Sequence, residues 1–248
     1  MRKNRSSTKR DRLFQAKRAL PADFSFGKET SAVFDDMLHR SVPLYDEMQR
    51  MIRELASDFA VEGTNLYDLG CSTGNTLLML DPVVPKGVRF VGVDSSPQML
   101  DRAREKLKQH GVKRPCDLIH ADLNRGLQIS NASVLVMSLT LQFVRPLYRH
   151  QLMRSLAAGV LPEGCLILVE KVLPAHSLLN RLFIKHYYEF KQQQGYSKLE
   201  ISQKREALEN VLVPYRLEEN LELLKQSGFS QFDVFFKWYN FCGLLAVK

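Results

Sequence analysis

Short apolar runs alternate with amphipathic segments along the first two thirds of the chain. Between the runs, apolar residues recur at three- and four-residue spacing, which is the period of a helix packed on one face. The runs themselves are typical of buried strands. We predict five of them: Asn65–Leu69, Val88–Val93, Cys116–His120, Ala132–Leu139 and Cys165–Val169. Strands that alternate with helices indicate a parallel sheet covered on both faces.

The alternation stops after residue 174, where a helical pattern begins that is interrupted at Gly195 and Pro214. Two further strands end the chain, and the short connection between them requires that they be antiparallel. These strands are Phe232–Trp238 and Gly243–Val247. A helical pattern over residues 30–60, broken at Pro43, precedes the first strand of the sheet.

These elements predict an α/β, Rossmann-like fold. We expect a seven-stranded, mostly parallel sheet with a C-terminal antiparallel hairpin, a helical N-terminal segment and a helical insertion over about residues 174–214. This element order resembles that of class I methyltransferase-like domains. In such a domain the insertion would form a lid beside the mouth of the active site.

The formal net charge of +8 is concentrated at the N-terminus. Residues 1–20 contain eight Lys and Arg residues and a single acid, Asp11, so they carry +7 of the total. We interpret them as a basic, flexible tail, and residues 21–248 as one domain. The pattern favours a solvated terminus without a partner, and a weak contact with RNA is the alternative.

Composition narrows the class of protein. A content of 45% hydrophobic and 25% charged residues is typical of a globular domain. No apolar run approaches the roughly 18–20 residues that cross a membrane, and no apolar segment follows the basic N-terminus as in a secretory signal. The four cysteines are far apart and show no metal-ligand spacing. We therefore expect reduced thiols, a cytoplasmic protein and no metal.

Polar motifs follow three of the predicted strands. Gly70 and Gly74 delimit the loop after the first strand, where glycine lets the backbone approach a ligand closely. Asp94 ends the second strand and can accept hydrogen bonds from both ribose hydroxyls. Asp122 follows the third and is placed to bind an adenine amino group, with Leu123 packed on the ring. Because the carboxyl ends of parallel strands meet at one edge, the three motifs together predict a nucleotide site.

Each acidic residue also has an ordinary structural interpretation. Asp94 is compatible with the N-cap of the following helix, and Asp122 with a simple turn residue. The glycine loop restricts the nucleotide further. Its sequence, Gly-Cys-Ser-Thr-Gly, lacks the middle glycine of a dinucleotide loop, and no Lys-Ser or Lys-Thr follows as in a P-loop. An adenosine with an amino-acid tail and no phosphate fits better, which indicates S-adenosylmethionine (SAM).

Beyond these motifs, the chain resembles the carboxy-S-adenosyl-L-methionine synthase family from about residue 11 to its end. The most specific segments lie in the insertion. They are Gly-Tyr-Ser-Lys-Leu-Glu-Ile-Ser-Gln-Lys-Arg at 195–205 and Leu-Glu-Asn-Val at 208–211. Less specific matches are Val-Phe-Asp-Asp-Met at 33–37, Arg-Ser-Val-Pro-Leu-Tyr at 40–45, Tyr-Asp-Leu-Gly-Cys-Ser at 67–72 and Leu-Thr-Leu-Gln-Phe at 139–143.

The resemblance implies an enzyme that converts SAM and prephenate to carboxy-SAM and phenylpyruvate. It also implies a homodimer with the lid helices near the interface. The product would supply a downstream tRNA carboxymethyltransferase that modifies the wobble uridine of tRNA.

The resemblance further implies which residues bind SAM. These are Tyr45, Gly70, Cys71, Ser72, Asp94, Ser95, Asp122, Leu123 and Ser138. At position 138 the family has asparagine, so Ser138 lacks the paired donor and acceptor of an amide.

Arg205 is the catalytic residue that the resemblance implies, and it also binds the product. Its guanidinium would grip the new carboxylate, which then lies between two cations. Without the resemblance, Arg205 belongs to a charged helical stretch typical of a solvated face. Prephenate is a dianion, and His39, Arg40 and Tyr196 are further candidate partners for it.

Two other functions remain open at this point. One is a conventional SAM-dependent methyltransferase of a small molecule or RNA, because a fold does not determine a function. The other is a non-catalytic tRNA-binding module that uses the basic N-terminus.

Overall fold

The structure, a computed structural model, describes residues 9–17 and 22–248. Its helices are α1 (Lys28–Ser41), α2 (Tyr45–Phe59), α3 (Asn75–Leu80), α4 (Pro97–Gln109), α5 (Pro146–Gly159), α6 (Ser177–Gln193), α7 (Lys198–Leu208) and α8 (Leu217–Ser227). Its strands are β1 (Asn65–Leu69), β2 (Arg89–Asp94), β3 (Cys116–His120), β4 (Ala132–Ser138), β5 (Val160–Leu173), β6 (Tyr215–Arg216), β7 (Gln231–Trp238) and β8 (Phe241–Val247). Single turns of 3-10 helix occur at Leu123–Arg125 and Leu141–Phe143.

Seven strands form one path in the order β3-β2-β1-β4-β5-β8-β7. Neighbours among β1 to β5 are parallel, whereas β8 is antiparallel to both β5 and β7. The predicted α/β fold, with its mostly parallel sheet and C-terminal hairpin, is therefore confirmed. The two-residue strand β6 also pairs with the end of β5, and the sequence did not predict it.

Strand β5 is longer than predicted at both ends. Val160 pairs with Ala132, and the register then shifts before Cys165 pairs with Val134. This irregularity absorbs the Pro-Glu-Gly sequence at 162–164, which therefore does not end the pairing. At its other end β5 continues to Leu173, so that residues 170–173 also belong to the sheet.

Both faces of the central strands of the sheet are buried. Leu66 and Val134 pack on one side with apolar residues of α2, α3 and α4. Their strand neighbours Tyr67 and Leu135 point to the other side and pack with α5 and α8. Side chains of a strand alternate between faces, so a sheet covered on both sides needs nearly continuous apolar strands. This explains the apolar runs in the sequence.

The N-terminal segment that we expected to be a flexible tail packs on the domain where it is described, over residues 9–17. Asp11 and Phe14 are buried. The Asp11 carboxylate accepts a hydrogen bond from the Tyr196 hydroxyl at 2.6 Å, and the Phe14 carbonyl accepts one from the Gln203 amide at 2.8 Å. These residues therefore belong to the domain, because their partners lie on or beside α7. The rest of the expected tail lies outside the described residues: 1–8 and 18–20.

We predict that Phe14→Ala lowers the free energy of unfolding by about 3 kcal/mol, the usual cost of removing a buried aromatic ring. Chemical denaturation measures this difference. Gln15→Ala is the matched control, because Gln15 is exposed beside it and should change stability by less than about 0.5 kcal/mol. Equal stabilities of the two variants would show that the segment is a solvated tail after all.

Candidate active site

The loop after β1 carries its backbone close to the carboxyl edge of the sheet. Gly70 has a φ of +82°, in the left-handed region. A Cβ atom at this position would lie 2.2 Å from Thr140 Oγ1, so the close approach of the two loops requires glycine. The N–H groups of Gly70 and Cys71 donate to the Val93 carbonyl at 2.7 and 3.0 Å. These bonds fix the loop to the end of β2.

Asp94, the last residue of β2, holds two neighbouring segments through its carboxylate. Oδ2 accepts from the Ser72 N–H at 3.0 Å, and Oδ1 accepts from the Ser96 N–H at 2.8 Å. The N-cap of α4 is Ser96, whose Oγ accepts from the Met99 N–H, so the N-cap interpretation of Asp94 is wrong. Burial raises the pKa of Asp94. Its carboxylate lines a cavity, where the remaining lone pairs can accept from a ribose.

Asp122 and Leu123 follow β3 and continue the wall of this cavity. Asp122 Oδ1 accepts from the backbone N–H and the side-chain amide of Asn124, at 2.9 and 2.8 Å. The turn-residue interpretation is therefore correct for this oxygen. Asp122 nevertheless lines the cavity. Leu123 is buried beside it, so an aromatic ring of a ligand can pack on Leu123.

Nine of the ten residues named as site residues line this one cavity. They are Tyr45, Gly70, Cys71, Ser72, Asp94, Ser95, Asp122, Leu123 and Ser138. Most of them lie at the carboxyl ends of β1 to β4, whereas Tyr45 reaches the cavity from the start of α2. Burial raises the pKa of Tyr45, so its hydroxyl stays protonated and remains a donor.

Arg205, the tenth residue, lies outside the cavity of its own chain. Its side chain is exposed on α7, whereas the preceding residue, Lys204, lines the cavity. Arg205 is therefore not part of the cavity wall within one chain, and its exposed position matches the alternative of a solvated face. Its contact with a ligand stays a prediction.

The three further candidates for binding prephenate also lie outside the cavity wall. Arg40 is buried, forms an ion pair with Asp36 at 3.3 Å and stacks on Tyr196, with 3.9 Å from its guanidinium carbon to the ring centre. The Tyr196 hydroxyl donates to Asp11. His39 is half exposed at the surface. Arg40 and Tyr196 stabilise the contact of α1 with α7 and the N-terminal segment instead.

Three charged side chains in the cavity wall were missed by the sequence analysis as site residues. Asp68 lies at the end of β1, Lys171 near the end of β5 and Lys204 on α7. Asp68 and Lys171 each interrupt a run of buried apolar residues. This interruption was the available signal, because a charge within a buried strand is rare unless it has a partner or a function.

Buried Glu170 holds the loop after β4 in place. Its carboxylate accepts from the backbone N–H groups of Thr140, Leu141 and Gln142 at 3.1, 2.8 and 2.8 Å. Burial raises the pKa of Glu170 to about 8, against the opposing effect of Arg149 and these N–H groups. The loop that faces Gly70 is therefore anchored from beneath.

The cavity is acidic at one end and basic at the other. Asp68, Asp94 and Asp122 stand at the ends of β1, β2 and β3, and Lys171 and Lys204 lie at the β5 end. Because β4 separates β1 from β5 in the sheet, the opposite charges are held apart. A pair of ligands fits this arrangement when one is cationic and the other anionic.

Residues 66–164 match the family described as a methyltransferase domain. The carboxy-S-adenosyl-L-methionine synthase of Methylococcus capsulatus is 56% identical over 240 residues, which cover 96% of this chain and 99% of that protein. The chain belongs to the carboxy-S-adenosyl-L-methionine synthase family. The synthase of Sulfurimonas denitrificans is 42% identical over 238 residues, with 96% of this chain and 99% of that protein covered.

Solved structures show the same fold in more distant proteins. An O-methyltransferase family protein from Burkholderia thailandensis aligns with a TM-score of 0.66 at 15% identity, over 89% of this chain and 59% of that one. The YcgJ protein from Bacillus subtilis aligns with a TM-score of 0.61 at 11% identity, over 82% of this chain and 98% of that one. At such identities the likeness concerns the fold alone. The class I methyltransferase fold inferred from the element order is confirmed.

The acidic end of the cavity fits SAM, which carries a sulfonium and an α-ammonium group. Asp68 Oδ2 is buried and has no hydrogen-bond partner among the described residues. A donor group of a bound ligand would supply the missing hydrogen bond. Burial, with repulsion from Asp94, raises the pKa of Asp68 to about 7. A bound cation would favour the charged carboxylate. These features support SAM as the ligand of a synthase of this family.

Within residues 9–17 and 22–248, no group of three or more His, Cys, Asp or Glu side chains is arranged to hold a metal ion. No helix in the same ranges combines the length and apolar character that crossing a membrane requires.

We predict that Gly70→Ala weakens the binding of SAM at least about tenfold, because the added methyl group displaces the loops that form the cavity. Isothermal titration calorimetry measures the Kd. Gly63→Ala is the matched control: Gly63 also has a positive φ, of +79°, but nothing lies within 4 Å of a Cβ there. Both changes strain the backbone, so equal Kd values would contradict the importance of the close approach at Gly70.

Proposed function

We propose that the protein synthesises carboxy-S-adenosyl-L-methionine from SAM and prephenate. Family membership supports carboxy-SAM as the product, because a relative 56% identical over 96% of this chain is named for this synthase activity. Prephenate as the carboxyl donor rests on the resemblance of the segments at 195–205 and 208–211. The conventional methyltransferase and the non-catalytic RNA-binding module have no comparable support.

The proposed reaction balances without a further reactant. Prephenate loses its ring carboxyl group as CO2 and its ring hydroxyl group as hydroxide, and its ring becomes aromatic in phenylpyruvate. The methyl carbon of SAM loses a proton and forms the new carbon–carbon bond to CO2. The released proton and hydroxide form water. The gain of aromaticity drives the reaction, so the protein needs to bind, orient and enclose the reactants.

The chain supplies the residues for these tasks. Asp94 and Asp122 are placed to hold the nucleoside of SAM, and Asp68 a cationic group. The predicted lid corresponds to α6 and α7, which contribute Tyr187, Lys204 and Leu208 to the cavity wall. A lid of this kind keeps water out and retains CO2 until the new bond has formed.

The proposed role of Arg205 requires a second copy of the chain. Its exposed position on α7 leaves no contact with the cavity of its own subunit. A homodimer with the lid helices near the interface would allow Arg205 of one subunit to bind the product carboxylate in the other. Isologous interfaces of this type are common, because one surface then serves both subunits.

The product has a proposed use outside this enzyme. A downstream tRNA carboxymethyltransferase would transfer the carboxymethyl group to the wobble uridine, and both reactions would take place in the cytoplasm. A weak RNA contact of the basic N-terminus would involve residues 1–20, of which 1–8 and 18–20 lie outside the described residues.

We predict that the protein, incubated with SAM and prephenate, forms phenylpyruvate and a SAM derivative heavier by one CO2. Mass spectrometry detects both products, and prephenate labelled with ¹³C at the ring carboxyl group should transfer the label. Asp94→Ala should abolish the reaction, since it removes the acceptor at the end of β2 and the anchor of Ser72. A methylated acceptor formed while prephenate stays unchanged would instead support a conventional methyltransferase.

We predict that Arg205→Ala and Asp94→Ala are each inactive alone but restore activity when they are coexpressed. Half of randomly formed dimers are hybrids with one intact site of two, so about a quarter of wild-type activity should return. Differently tagged chains allow the hybrid to be purified and assayed for carboxy-SAM. A hybrid without activity would show that Arg205 does not act across subunits.

A further inference from the structure

Three lysine side chains meet at the basic end of the cavity. Lys171 comes from β5, Lys191 from α6 and Lys204 from α7. The Nζ atoms of Lys171 and Lys191 lie 4.8 and 4.9 Å from the centre of the same ring, that of Tyr187. Lys204 Nζ donates to Ser41 Oγ at 3.1 Å, and the Tyr187 hydroxyl donates to the Ser41 carbonyl at 2.9 Å. The three ammonium groups therefore surround one tyrosine and the end of α1.

These lysines have too little opposite charge around them. Within the described residues none of the three forms an ion pair. Asp11 is the carboxylate whose charge acts on Lys191 and Lys204, and its oxygens already accept from the Tyr196 hydroxyl and the Leu13 N–H. The remaining nearby charges are Arg40 and Asp36, which pair with each other. The cluster thus has an excess of positive charge.

Burying an unpaired ammonium group costs free energy, so burial disfavours the protonated form of these lysines. Burial lowers the pKa of Lys171 and of Lys204 to about 8. Burial and the two neighbouring lysines lower the pKa of Lys191 well below its usual value. Lys171 and Lys204 are the two lysines of the cluster that line the cavity. An anion entering the cavity would meet these two groups.

Lys171 and Lys204 lie on the far side of the cavity from the residues that face the nucleoside. The residues for the nucleoside lie at the ends of β2 and β3, and the loop after β1 lies next to them. Lys171 lies on β5, on the far side of β4. A SAM molecule with its nucleoside at β2 and β3 therefore has the lysines beyond its amino-acid and sulfonium part. A second, anionic reactant bound by the lysines would lie across β4 from the nucleoside.

We propose that Lys171 and Lys204 form a carboxylate-binding subsite that receives the anionic carboxyl donor beside SAM. The proposal rests on the proposed function, because it names the residues that bind the second substrate of that reaction. A dicarboxylate such as prephenate offers one negative charge to each ammonium group. Binding of the dicarboxylate would compensate the excess positive charge of the lysine cluster.

The test uses Lys171→Met and Lys204→Met, because methionine keeps the length and apolar volume of the side chain without the charge. Each change should raise the KM for prephenate about tenfold or more, since a charge-assisted bond to a carboxylate is lost. The Kd for S-adenosylhomocysteine should stay within about twofold, as measured by calorimetry. The midpoint of thermal unfolding should stay equal or rise, because a buried unpaired charge is removed.

Lys198→Met is the matched control, since Lys198 lies on α7 but is exposed. Lys198→Met should leave both the KM for prephenate and the Kd for S-adenosylhomocysteine unchanged. A weaker Kd for S-adenosylhomocysteine with an unchanged KM for prephenate would overturn the proposal, because the lysines would then hold the amino-acid carboxylate of SAM. A lower unfolding midpoint with a proportional loss of both affinities would also overturn it, because the lysines would then be structural.

Direct titration separates this proposal from the proposed function. Prephenate is titrated into the wild-type protein saturated with S-adenosylhomocysteine, and the same titration is made with each variant. Binding to the wild type that the lysine variants lose supports the subsite, even if no carboxy-SAM were formed in the activity assay. Equal binding to all proteins, or no binding to the wild type, would overturn the subsite whether or not the synthase reaction is observed.

Discussion

Loops at the carboxyl edge of a parallel sheet have backbone N–H groups that cannot form hydrogen bonds to a neighbouring strand. In this protein buried carboxyl groups accept hydrogen bonds from them. Asp94 accepts from the residues after β1 and before α4, and Glu170 accepts from the loop after β4. A buried carboxylate is stable only when such donors surround it. The cavity owes its shape to this mutual dependence, since the loops that form its wall are held by buried carboxyl groups that the loops themselves stabilise.

The same edge separates charge along its length. Carboxylates gather over β1 to β3 and ammonium groups over β5, and neither set is neutralised within the described part of the chain. Such an arrangement costs stability in the free protein. It is suited to a reaction that brings a sulfonium cation and an anionic donor together, because each reactant then meets opposite charge. A transfer of a methyl group to a neutral acceptor has no need of the basic end.

The proposed lid, helices α6 and α7, is connected to the rest of the domain by polar contacts at its base. Tyr196, between α6 and α7, donates to Asp11, and Arg40 donates to the Gln194 carbonyl at 2.9 Å. Lys204 donates to Ser41 at the end of α1. The lid helices are thus fixed against α1 and the N-terminal segment, which orients Lys204 toward the cavity and Arg205 toward the outside.

Much of the fold, and the meeting of the glycine loop with Asp94 and Asp122 at one cavity, could be predicted from the sequence, because both depend on local patterns. Apolar runs with turn residues between them define parallel strands, and residues such as Asp94 and Asp122 must meet where those strands end. The roles of Lys171, Lys204 and Arg205 could not be predicted in this way. Which side of α7 faces the cavity depends on how α7 packs against α1 and the N-terminal segment, and these contacts join residues far apart in the chain. Only the tertiary structure decides such contacts, since a helix with charged residues on several faces has no single side that its sequence alone would bury.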